Sequence, residues 1–93
     1  MRSKMILLAL FVALVTACAG NPNSPVALSC ERGLKVAYQE LDLAKAKGFS
    51  GTVEYTKAAG LLSAAKIQYE FGKYPNCVDK VERARAFIKK SQQ

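Results

Sequence analysis

Histidine and tryptophan are absent from this 93-residue chain. Without histidine the usual general base, proton shuttle and metal ligand are missing at once, so the reading is of a protein that is not an enzyme and holds no metal and no cofactor. No stretch alternates apolar and polar residues long enough to mark a strand. Its apolar run from Met5 to Ala17 has 13 residues, short of the roughly 20 that a membrane span requires. Acidic residues number seven against 14 lysines and arginines. The two carboxylates nearest in sequence on the first expected helix, Glu40 and Asp42, sit two positions apart and so point to different faces; solvation is their expected role.

What is present begins with an address. Arg2 and Lys4 precede the uncharged run, which closes on the small residues Thr16 and Ala17. Basic start, apolar middle and small-residue end form the layout of a cleaved secretory signal peptide, here residues 1–17. The next residues, Cys18 to Ser24, contain Gly20, Asn21, Pro22 and Asn23, which favour turn and coil. Fully extended, these seven would reach about 25 Å. They read as a tether over 18–24, ahead of a domain over 25–91.

The sequence Val15-Thr16-Ala17-Cys18 resembles the lipobox of bacterial lipoproteins. That resemblance implies that the Cys18 thiol receives a diacylglycerol and that the signal is cut immediately before it. It further implies acylation of the new N-terminus, commonly with palmitate. One chain binds a membrane marginally, at about 0.8 kcal/mol per buried methylene, whereas two or three together give stable attachment. In the same class an Asp after the acylated cysteine often holds the protein at the inner membrane. Ala19 stands there instead, so the resemblance implies an outer-membrane anchor facing the periplasm.

Removing residues 1–17 leaves 76, a single domain of a size at which one core rarely supplies more than about 3–5 kcal/mol. Once Cys18 is acylated, Cys30 and Cys77 remain as an even pair delivered to an oxidising compartment, and a disulfide between them is expected. Closing that loop of 47 residues would contribute about 4 kcal/mol in the chain-entropy picture. The mature chain also loses Arg2 and Lys4, leaving 12 basic residues against seven acidic. The anions an exported protein would meet are lipid head groups, wall polymers or acidic proteins, not nucleic acid, and the first reading of so modest a surplus is a solvated face.

Three helices are expected, arranged as an antiparallel hairpin bundle of the all-α class. Ser24-Pro25 is a helix-start pair, and Leu34, Ala37, Tyr38, Leu41 and Ala44 recur at helical spacing up to Gly48. From Thr52 to Phe71 two apolar seams can be traced, Ala58-Leu62-Ala65-Tyr69 and Val53-Leu61-Ala64-Phe71, which predicts a middle helix packed on both sides. Gly72 and Pro75 mark the turn into a third helix with Cys77, Val81, Ala84 and Ile88 on its inner stripe. Legs of 18 and 20 residues out and back, about 27 and 30 Å at 1.5 Å each, return the chain to the level of Cys30.

The segment "AKIQYEFGKYPNCVDKVERARAFI" resembles the turn and second helix of a tetratricopeptide-type repeat through Gly72, Tyr74, Cys77 and Ala84. "LDLAKAKGF", "AAGLLSAAK" and "GKYPNCVDKVERAR" resemble the small Ala-rich helical-hairpin lipoproteins of bacterial envelopes. Neither likeness brings an active site. The remaining candidates are a basic group on the last helix, Lys80, Arg83 and Lys90 with Arg85 and Lys89, and the tyrosines 38, 55, 69 and 74, read as core or rim. The leading expectation is a membrane-anchored envelope module for interaction with another envelope protein or for structural support. The alternative is a binder of anionic wall polymer or lipopolysaccharide through Lys80, Arg83 and Lys90.

Overall fold

A computed structural model describes residues 20–93. The expected signal peptide and the lipidation site Cys18 lie outside the described residues. Three helices follow one another: α1, Pro25–Ala46; α2, Val53–Glu70; α3, Tyr74–Ser91. The described residues form no strand, and the all-α three-helix bundle is as expected.

Each boundary has a local cause. The Ser24 hydroxyl accepts from the Ala27 amide at 3.2 Å, and Pro25 takes the first helical position, where it brings no N–H and its fixed φ suits the helix. Helix α1 closes when the amides of Gly48 and Phe49 donate back to the carbonyls of Lys45 and Ala44. Gly48 has φ 92°, a left-handed backbone that only glycine adopts without a side-chain penalty. The turn into α3 repeats this device: Gly72, φ 73°, and Lys73 donate to Tyr69 and Gln68. Thr52 caps α2 by accepting from the Tyr55 amide at 3.1 Å while its hydroxyl donates to the Phe49 carbonyl at 2.9 Å.

On α1 the core alternates small residues with two leucines: Ala27, Cys30, Leu34, Ala37, Leu41 and Ala44 are buried there. Opposite them α3 contributes Tyr74, Cys77, Val81, Ala84 and Ile88, and α2 contributes Ala58, Leu62 and Ala65. At Gly33 the two backbones approach closely: a β-carbon there would lie 2.9 Å from Val81 Cγ1. Cys30 and Cys77 stand at disulfide-bonding distance, their Cα atoms 5.6 Å apart and both side chains fully buried. The pair joins α1 to α3 near the turn at Gly72, where the out-and-back length of the two legs places it.

One expectation is corrected. The helix in the middle of the sequence is not the middle of the bundle: α3 packs against both others, and the α1–α2 contact is the smallest. Only the first seam of α2 is buried. On the second, Val53 is 65 % and Phe71 68 % exposed, while Leu61 and Ala64 are half-buried. Helix α3 gains the central place because its buried stripe is flanked on both sides by Val78 and Phe87, which also pack on the core.

Candidate interaction surface

At 100° per residue, Val53, Gly60, Ala64 and Ile67 fall within about 60° of one another on α2. Val53, Gly60 and Ile67 face away from the bundle, Val53 and Ile67 being 65 % and 51 % exposed, while Ala64 is half-buried beside them. A β-carbon on Gly60 would meet nothing within 4 Å. Glycine in a helix interior costs about 1 kcal/mol relative to alanine, and here no intramolecular packing offsets it. The middle of the stripe is therefore a shallow depression, with larger apolar side chains at either end.

Beside the stripe, Lys57, Gly60, Leu61, Arg83 and Phe87 line an open groove of about 450 Å³ between α2 and α3. Leu61 and Phe87 form its floor, since both pack on the core while remaining partly accessible. Lys57 stands over the Phe87 ring, Nζ 5.4 Å from the centroid, an arrangement that holds a cation at an apolar edge. Arg83 stands at the other edge. Its nearest carboxylate is Asp79, one turn away on the same helix at 3.8 Å with both side chains exposed, a pairing worth well under about 1 kcal/mol. The floor is thus apolar and the edges carry positive charge.

The cations singled out from the sequence do not converge. Arg83 lines this groove, whereas Lys90 lines a second one with Glu40, Arg85, Ala86, Lys89 and Gln93. Lys80 is half-buried and lines neither groove. In the second groove the Arg85 guanidinium donates to Glu40 across the α1–α3 boundary, so Glu40 is more than a solvated carboxylate. Asp42 is exposed, as expected. Tyr74 is buried, and Tyr38, Tyr55 and Tyr69 pack against the core. The Tyr69 and Tyr74 rings meet at 5.7 Å. All four thus serve the bundle and leave no aromatic cage.

No group of three potential metal ligands occurs among the described residues, and no helix there is long and apolar enough to cross a membrane. The α2 stripe is the feature that sequence reasoning missed. Its signal is Gly60 and Ala64 lying four apart beside Val53 and Ile67; the second seam of Val53, Leu61, Ala64 and Phe71 holds only two of these four, and Gly60 and Ile67 fall outside both seams. No family model, curated protein or solved structure matches this chain.

Proposed function

We propose that this protein is a lipid-anchored envelope module that docks a helix of another envelope protein on the outer face of α2. The carrying observation is the stripe of exposed Val53, Gly60 and Ile67 with half-buried Ala64, beside a cation-edged apolar groove. Small residues at the centre of a helix face allow a second helix to approach closely, and the larger ones at its ends bracket that helix. Lys57 and Arg83 favour carboxylates along the partner's margin. The occupant is therefore an amphipathic helix, apolar on one face and acidic beside it. Its capture requires no catalysis and no cofactor. Cys18, acylated, would keep the module at the outer membrane on the periplasmic side, where such a partner is met.

A photo-crosslinking residue placed at Gly60 tests the reading, with Lys35 on exposed α1 as the control position. The expected result is a single adduct from position 60 whose crosslinked peptide is an acidic amphipathic helix, and whose yield falls when Ala64→Gln fills the depression. Equal adducts from both positions contradict the reading. So does an adduct consisting of a second copy of this chain.

The exposed lysines of α3 support a second reading, in which the module binds anionic wall polymer or lipopolysaccharide. Lys89 and Lys90 line the groove that also holds Arg85, with Arg83 one to two turns away on the same helix. Cosedimentation with wall polymer, lost at high salt and weakened by Lys80→Gln, Arg83→Gln and Lys90→Gln together, would favour it.

A further inference from the structure

The end of the bundle that holds the cysteine pair also holds the start of the described chain. Gly20 lies against the α2–α3 turn: a β-carbon on it would sit 2.5 Å from the Gly72 carbonyl oxygen and 2.8 Å from the Tyr74 ring. Residues 21–24 do not extend away from the fold. The Ser24 amide donates to the Asn21 carbonyl at 3.1 Å, and the Asn23 amide donates to Asn21 Oδ1 at 3.0 Å. The segment expected as a tether of up to about 25 Å is thus folded back onto the bundle from Gly20 onward.

Cys18 precedes Gly20 by two residues, a reach of at most about 7 Å. Acyl chains on Cys18 would therefore bring the turn at Gly72 to the bilayer surface itself. At that turn Phe71 is 68 % exposed, the most accessible large apolar side chain among the described residues, and Lys73 is exposed beside it. The left-handed Gly72 between them lets the chain reverse there, so both side chains are carried at the tip. A phenyl ring can insert on the apolar side of the membrane interface while the neighbouring lysine keeps its ammonium among the head groups.

We propose that the Phe71-Gly72-Lys73 turn is a second membrane contact, with the Phe71 ring in the interfacial layer and the Lys73 ammonium on lipid phosphate. This rests on the acylation of Cys18 proposed above. The occupant is the bilayer, and the bundle stands on it end-on. Lying flat on the outer face of α2 would insert Val53 and Ile67 only, with the hollow at Gly60 and Ala64 left between them, a shape suited to a helix and not to lipid. Standing upright, the bundle carries Lys45, Lys47, Lys89 and Lys90 at its other end, about 27–33 Å away along helices of 18 and 22 residues. The α2 stripe then faces sideways, open to a partner rising from or reaching down to the same membrane.

The absence of tryptophan makes the test clean. The full-length lipidated chain carrying Phe71→Trp, or separately Val53→Trp, is reconstituted into vesicles of phosphatidylethanolamine and phosphatidylglycerol. Bromine-labelled lipid should quench Trp at 71 strongly and blue-shift it. At 53, iodide in the water should quench several-fold better than at 71. Protein that floats with the vesicles while iodide reaches position 71 freely overturns the turn contact and leaves the anchor standing. Lipid quenching at both positions overturns the upright placement. Protein that does not float overturns the anchor, and this inference with it.

Discussion

Gly33 on α1 and Val81 on α3 meet so closely that a β-carbon on the glycine would stand 2.9 Å from Val81 Cγ1. Val81 is 4 % exposed and β-branched, so its methyl group has little room to rotate away. Gly33→Ala gains up to about 1 kcal/mol of helix propensity but incurs overpacking of about 1–3 kcal/mol. The expected outcome in chemical denaturation is a net loss of about 1 kcal/mol. In a Val81→Ala background the same change should become neutral or stabilising. A loss of the same size in both backgrounds would show that the two residues are not coupled.

Gly60 presents the opposite case. With open space beyond it, Gly60→Ala should raise stability by about 0.8–1 kcal/mol. Thermal melting of the two glycine variants side by side checks the contrast. A destabilised Gly60→Ala would mean that the outer face of α2 is covered in the protein's working state, for instance by a second copy.

The buried anchor of α2 is Leu62, fully inaccessible on a helix that otherwise buries alanines. Leu62→Ala removes most of the apolar volume that α2 lends to the core, and a loss of about 2–5 kcal/mol is expected. In a domain this small that is a large share of the total. Denaturation midpoints measured at constant slope would check it, and a loss below about 1 kcal/mol would place α2 outside the cooperative unit.

The cysteine pair is the other half of that balance. Cys77→Ala, or reduction, should cost about 2–5 kcal/mol while leaving much of the helical signal intact, since the caps at Ser24 and Thr52 and the glycine turns do not depend on it. A thiol count on unreduced, denatured protein, followed by melting with and without reductant, reads both points. Two free thiols at positions 30 and 77, or unchanged melting, would contradict the staple.

The elements of this fold were legible in the sequence because their boundaries are chemically explicit. Ser24-Pro25, Gly48, Thr52, Gly72 and Pro75 each do locally what their residue type suggests, and Cys30 and Cys77 meet where equal helix lengths would place them. The order of packing was not legible. Two apolar seams on α2 satisfy the same pattern whether both are buried by the chain or one is left for something else. That distinction depends on where α3 lies, and the inner stripe Cys77, Val81, Ala84 and Ile88 does not include Val78 and Phe87, which widen it on both flanks. Pairings between helices, such as Arg85 with Glu40 and Lys57 with Phe87, leave no trace at local spacing. The candidate surface is made of residues that periodicity alone would assign to a core.

The central claim, a folded module held at the membrane through Cys18, is tested most directly by mass spectrometry of the N-terminal peptide from protein recovered from bacterial membranes. The account predicts a chain that starts at Cys18 and carries a diacylglyceryl thioether with an acylated amine, and that is replaced in the Cys18→Ser variant by an unlipidated, uncleaved or soluble form. A peptide that retains residues 1–17 with a free Cys18 thiol, or one cleaved without any added lipid, would contradict it.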